Sequence, residues 1–138
     1  MTLSIKGLDH IVLRSADIDR MIAFYGEVLG CAVERRVDEL GLVQMRAGAS
    51  LIDLVDVNGE IGRAGGPAAG DEARNVDHYC LRVDGFDAEV ITAHLKKHGV
   101  EPGEPARRYG ADGYGQSIYF QDPDGNTVEL KGPPQSST

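Results

Sequence analysis

The chain has 138 residues, with 14 basic and 22 acidic side chains and a net charge of −8. That length suits one self-supporting core, which buries roughly two-thirds of the surface its unfolded chain exposes and needs neither disulfide nor structural metal. The acidity argues against a nucleic-acid partner, because phosphate backbones are repelled, and no run approaches the roughly 20 apolar residues of a membrane span.

In chain order, Leu8-Asp9-His10-Ile11-Val12-Leu13-Arg14 is rich in β-favouring residues between Gly7 and Ser15, and predicts a strand. Asp17 then suits the N-cap of a helix carrying Ile18, Met21, Ile22, Tyr25, Val28 and Leu29 at helical spacing, with Gly30 as its stop. Strands are expected over 31–37, 42–46 and 51–57, separated by turn signals at 38–41 and 48–50. Residues 58–75 are small, polar and glycine-rich, and form the one candidate linker. The second half repeats the order. A strand over 76–84 leads to a helix over 87–98 with Val90, Ile91 and Leu95 inward and Gly99 as its stop. Strands over 100–107 and 116–121 follow, and the turn Asp122-Pro123-Asp124-Gly125-Asn126 leads into a last strand over 127–131. The tail 132–138 is expected to fray, and the glycine-rich loop 109–115 to fold over substrate. The N-terminus lacks the apolar stretch of a signal peptide. Cys31 and Cys80 lie in strand-like runs, as buried reduced thiols would, so a cytoplasmic protein is expected.

Each half therefore reads β-α-β-β-β. Asp9-His10-Ile11-Val12-Leu13-Arg14 aligns with Asp77-His78-Tyr79-Cys80-Leu81-Arg82, and Leu51-Ile52-Asp53-Leu54 aligns with Thr127-Val128-Glu129-Leu130. Side chains alternate along a strand. His10 thus shares a face with Val12 and Arg14, and His78 with Cys80 and Arg82, while Ile11, Leu13, Tyr79 and Leu81 can cover a helix. Asp53 and Glu129 likewise face away from their apolar neighbours. If the halves form related curved sheets that face each other, two imidazoles and two carboxylates converge. Such a set suits one divalent metal with open positions for water or substrate, and a metal is a partner that lets buried acids stay charged.

These stretches, with Ile22-Ala23-Phe24-Tyr25-Gly26-Glu27-Val28-Leu29-Gly30 and Asp122-Pro123-Asp124-Gly125-Asn126-Thr127-Val128-Glu129-Leu130, resemble the vicinal oxygen chelate superfamily of glyoxalase I, methylmalonyl-CoA epimerase, extradiol dioxygenases and bleomycin-resistance proteins. The resemblance spans residues 5–132. It implies an α+β fold of two paired β-α-β-β-β modules forming a curved mixed sheet around a metal cleft: module 1 over about 5–57, the linker, and module 2 over about 76–131. It implies a homodimer, a small-molecule substrate, and a metal held by His10, Asp53, His78 and Glu129. The implied activity is that of a metal-dependent glyoxalase I-like lyase or isomerase acting through a metal-stabilised enediolate. Glu129 would be the principal base and Asp53 would assist it; nickel, cobalt, zinc or manganese would fill the site. Arg14 matches a position that contacts glutathione in glyoxalase I, and Arg82 and Tyr119 join it as expected substrate-binding residues. Asp53 stands where glyoxalase I-like enzymes generally carry glutamate, and the asparagine that helps hold glutathione would fall near Val57. Two alternatives stay open. Tyr119-Phe120-Gln121-Asp122-Pro123-Asp124-Gly125 fits the closing signature of iron-dependent extradiol dioxygenases, and a non-catalytic antibiotic-binding protein would keep the same scaffold.

Overall fold

The computed structural model describes residues 2–136. The chain divides into two compact units, residues 1–69 and 70–138. In the first unit, β1 (His10–Ser15), α1 (Ile18–Glu27), β2 (Ala32–Val37), β3 (Leu42–Ala47) and β4 (Ser50–Asp56) follow in order. The second contains β5 (His78–Arg82), α2 (Ala88–Lys97), β6 (Ala106–Gly110), β7 (Gly113–Gln121) and β8 (Thr127–Lys131). Each unit holds one four-stranded mixed sheet, ordered β1-β4-β3-β2 or β5-β8-β7-β6. In both, the first strand of the module pairs parallel with the last and the other pairings are antiparallel. The fold is the paired β-α-β-β-β architecture expected from the sequence.

Local chemistry explains the elements. The Asp17 carboxylate accepts from the Arg20 amide at 3.1 Å, and the Asp87 carboxylate from the amides of Glu89 and Val90, so both helices start on aspartate caps. Gly30 and Gly99 take left-handed φ values of 71° and 74° just beyond the helix ends, where a side chain would be strained. Helix α1 buries Met21 and Tyr25 against its sheet, whose inner positions include Leu13, Val43, Met45, Ile52 and Leu54. Helix α2 buries Leu95 and packs on β7, over a core of Ile118, Phe120, Val128 and Leu130. Among the described residues no helix is long and apolar enough to cross a membrane.

Four expectations are corrected. Val90 is 64% exposed, because the inward stripe of α2 runs through Ile91 and Leu95, four residues apart, and leaves Val90 about 100° off it. Residues 100–105 are not a strand: Pro102, Gly103 and Pro105 interrupt the ladder, and pairing with β7 begins at Ala106. Residues 109–115 are not a free loop but the tip of the β6–β7 hairpin, in which Tyr109 pairs with Tyr114 and Gly110 with Gly113. The tail is tied down as far as Gln135, whose amide donates to the Tyr114 carbonyl at 2.7 Å, as that of Gly132 does to Gln116 at 2.9 Å. Residues 137 and 138 of that tail lie outside the described residues.

Candidate metal centre

The sheet register builds the site. On the face of the first sheet away from α1, Val12, Asp53, Gln44 and Arg35 form one row across four strands. His10 stands one strand repeat from Val12 on that face. On the second sheet the corresponding row is Cys80, Glu129 and Tyr119, with His78 one repeat from Cys80. The turn before β8 fixes where Glu129 falls. Asp122 accepts from the backbone amides of Asp124 and Asn126 and from the Asn126 side chain, and Gly125 takes a φ of 84°.

Each module brings one histidine to one carboxylate. His10 Nε2 lies 4.0 Å from Asp53 Oδ2, and His78 Nε2 lies 3.5 Å from Glu129 Oε1. Both carboxylates are buried, Asp53 at 5% and Glu129 at 6% exposure. The far nitrogen of each ring is also engaged: His10 Nδ1 meets Asp9 at 2.7 Å and His78 Nδ1 meets Asp77 at 2.6 Å. An aspartate accepting from Nδ1–H leaves the Nε2 lone pair turned toward the buried carboxylate, the arrangement that orients histidine ligands in metal sites. The Asp9 hydrogen bond, and then the Asp53 charge, raise the His10 pKa above its ordinary value.

The residues fit a divalent metal. Neutral imidazole nitrogen and carboxylate oxygen are the donors that nickel, cobalt, zinc, manganese and iron accept. The two Nε2–oxygen separations approach the roughly 3 Å spacing of neighbouring ligands that each sit about 2.1 Å from one ion. Each module presents two such donors, and among the described residues no three His, Cys, Asp or Glu side chains gather in one place.

The carboxylates differ in how they are held. The Gln44 amide donates to both oxygens of Asp53 at 3.2 Å, and Arg35 donates to the Gln44 carbonyl oxygen at 3.2 Å, which fixes the amide's direction. Opposite Glu129 stands Tyr119, whose ring meets His78 edge-on at 5.4 Å. Burial, and then the Glu129 charge, raise the Tyr119 pKa. Tyr119, expected to touch substrate, is thus first a partner of Glu129.

The two arginines are also engaged. Arg14 donates to the carbonyls of Gly62, Gly66 and Pro67, and a Cβ on Gly65 would lie 2.4 Å from its Nε, so the guanidinium clamps the loop after β4. Arg82 pairs with Asp112 at 2.9 Å on the surface. Cys80 is exposed, against expectation, because it shares the open face with His78 and Arg82. Burial of its sulfur and the Glu129 charge push its thiol up to about 11. Asp9, Asp77 and Gln44 are site residues that the sequence reading missed. The aspartates were already in the repeat match, whereas Gln44 is visible only through strand register.

A family model of the Glyoxalase/Bleomycin resistance protein/Dioxygenase superfamily matches residues 7–130. The chain is 33% identical over 129 residues to a glyoxalase domain-containing protein, RDO1, of Mycosarcoma maydis, covering 93% of this chain and 69% of that protein. It is 26% identical over 131 residues to the mitochondrial methylmalonyl-CoA epimerase of Homo sapiens, covering 90% and 72%. Among solved structures, the cassette protein VPC_CASS1 from the mobile metagenome of V. Pseudocholerae superposes with a TM-score of 0.79 at 29% identity, over 98% of this chain and 100% of that one.

Proposed function

The chain belongs to the Glyoxalase/Bleomycin resistance protein/Dioxygenase superfamily, and from that premise we propose that it is a metal-dependent lyase or isomerase, glyoxalase I-like, that moves a proton on a small molecule. One divalent ion per cleft is bound through His10, Asp53, His78 and Glu129, and a homodimer is the working unit. The observation that carries this reading is the doubled half-site: an exposed aspartate, a histidine and a buried carboxylate in line, once in each module. A relative named as an epimerase agrees with proton transfer at carbon as the chemistry.

A metal held there would supply Lewis-acid polarisation of a substrate oxygen, which acidifies the adjacent C–H. The asymmetry between the carboxylates assigns the protein's own roles. Asp53 has both oxygens held by one amide and suits a fixed ligand. Glu129 has no such double amide contact among the described residues and stands beside Tyr119 and His78, so its carboxylate suits the group that takes a proton from carbon and returns it. Its burial keeps water from competing for that proton.

The test is elemental mass spectrometry of untagged protein purified without chelators, with His10→Ala as control. About one nickel, cobalt, zinc or manganese per cleft, lost in the variant, supports the reading and directs screening to thiol adducts of 2-oxoaldehydes. Iron in that place points to ring-cleaving oxygenation instead, and no metal even after reconstitution overturns the site. Glu129→Gln should keep the fold by circular dichroism and lose turnover; full activity would remove Glu129 as the base.

A further inference from the structure

Helix α2 carries two histidines that the proposed centre does not use. His94 and His98 stand four residues apart, so they lie one above the other on a single side of the helix, and both are exposed. The helix packs on β7, where Ile118 and Phe120 alternate with Tyr119, so it covers the sheet face opposite the row of Tyr119 and Glu129. The pair is therefore separate from His78 and Glu129, which belong to the same module. At the same distances from its aspartate cap, α1 carries Phe24 and Val28 instead. The histidine pair is a property of the second module alone.

The end of the helix holds the second ring in place. The Gly99 amide donates to the Lys96 carbonyl at 3.0 Å and the Val100 amide to the Leu95 carbonyl at 2.9 Å, which closes a double turn around the left-handed Gly99. His98 is the C-cap inside that turn, so its side chain keeps its place one turn beyond His94. The two ring centroids lie 4.7 Å apart, with planes inclined at 59°. An ion about 2.1 Å from an imidazole nitrogen is about 3.2 Å from that ring's centroid, and two such rings at about 90–109° around one ion have centroids about 4.5–5.2 Å apart. The observed separation falls inside that range. Two histidines at this spacing on one helix face are also the arrangement by which zinc-binding helices grip their metal.

We infer that His94 and His98 form a second, exchangeable metal clip on α2, for copper, nickel or zinc. Two imidazoles without a carboxylate favour these borderline metals, copper most, and offer little to manganese, magnesium or calcium, which prefer oxygen. Among the described residues no third His, Cys, Asp or Glu gathers with the pair, so water or an outside ligand completes the coordination. The helix C-terminus supplies a field that favours a cation, whereas Lys97, three residues from His94, opposes one. The proposed cleft centre, with two carboxylates, accepts manganese as well. The two sites thus differ in metal preference as well as in place, and the clip does not depend on the proton-transfer reading.

The test uses the His10→Ala/His78→Ala protein, which retains only His94 and His98 of the chain's 4 histidines. Chelator-treated samples are titrated with copper, nickel, zinc and manganese chlorides and followed by calorimetry and by nitrogen-15 spectra of the imidazoles. Copper should bind saturably and broaden both imidazole signals together, and manganese should give no saturable heat. Adding His94→Ala or His98→Ala should weaken copper binding about tenfold or more, because a chelate becomes a single ligand, and adding Lys97→Gln should tighten it. A second readout needs no altered background: the untagged wild-type chain should be retained on an immobilised-copper column, and His94→Ala should elute at lower imidazole. Copper affinity unchanged by both single-histidine substitutions, broadening that spares either ring, or equal column retention would overturn the clip. A cleft that takes up no metal leaves all these outcomes as they are, so failure of the proposed centre and failure of the clip are distinguishable.

Discussion

Replacing Asp77 by asparagine probes whether the aspartate–histidine pairs tune a metal ligand or merely decorate the surface. The change keeps side-chain volume and a hydrogen-bond acceptor but removes the charge behind a 2.6 Å contact to His78 Nδ1. Such outer partners typically contribute 10- to 100-fold in metal affinity. Here the Asp77 side chain is 97% exposed, and Asp9 in the first module is 90% exposed, so water screens both charges and the lower bound applies. Each single variant, Asp77→Asn or Asp9→Asn, should therefore weaken binding about tenfold. The two aspartates bond different histidines, one in each module, so their factors should multiply to about 100-fold in the double variant. The assay is competition for zinc or nickel against a chromophoric chelator at fixed pH, with circular dichroism to confirm folding. Nitrogen-15 spectra of the imidazoles supply a second readout, since the variants should lose the dominance of the Nδ1–H tautomer. A double variant within twofold of the parent affinity, folded and with tautomers unchanged, would refute the orienting role.

Arg14→Met should cost about 2 kcal/mol in a urea melt, because three carbonyl acceptors lose a partly buried cationic donor. Amide exchange should quicken over residues 59–67 while metal affinity holds; a changed KM with unchanged stability would return Arg14 to substrate binding. Cys80, with its thiol at about 11 rather than 9, should be about 100-fold poorer in thiolate at pH 8 than an ordinary cysteine. Iodoacetamide labelling of metal-free protein, followed by peptide mass spectrometry, should run correspondingly slowly, climb tenfold per pH unit toward 11, and speed up in Glu129→Gln. Rapid labelling at pH 8 in the folded protein would contradict that environment. Gly62→Ala places a Cβ 1.9 Å from the Asp56 carbonyl oxygen, a backbone clash with no rotamer to relieve it. A loss of about 3 kcal/mol is expected, and a variant as stable as the parent would show that the loop shifts freely.

Much of the fold was legible because local signals and repeat signals agreed. Aspartate caps, glycine stops and two like-ordered motifs all pointed to β-α-β-β-β twice. The misreadings cluster where glycine and proline carry two meanings. Pro102, Gly103 and Pro105 delay β6, whereas Gly110, Gly113 and Gly115 looked like a loop but are small so that Lys131 and the tail can approach. Of the site, alternation along single strands put His10, Asp53, His78 and Glu129 on open faces, since that rule needs no tertiary knowledge. Gln44 and the direct partnership of Tyr119 with Glu129 depend on which residues stand opposite across a ladder, and register is not written in one strand. The expected substrate role of Arg14 came from the resemblance to glyoxalase I; the loop that occupies its guanidinium comes from some fifty residues downstream.

The parallel pairing of β1 with β4 and of β5 with β8 has a consequence for biosynthesis. Histidine and carboxylate sit on the first and last strands of each module, and neither is near the other until the intervening helix and hairpin have been made and folded. During synthesis the early histidines therefore lack their anionic co-ligands, so a partial chain is a poor scavenger of transition metals. For the proposed four-ligand site, tight capture would require both modules to be complete, and the rate of metal uptake during refolding should follow the closing of β8 rather than the first collapse.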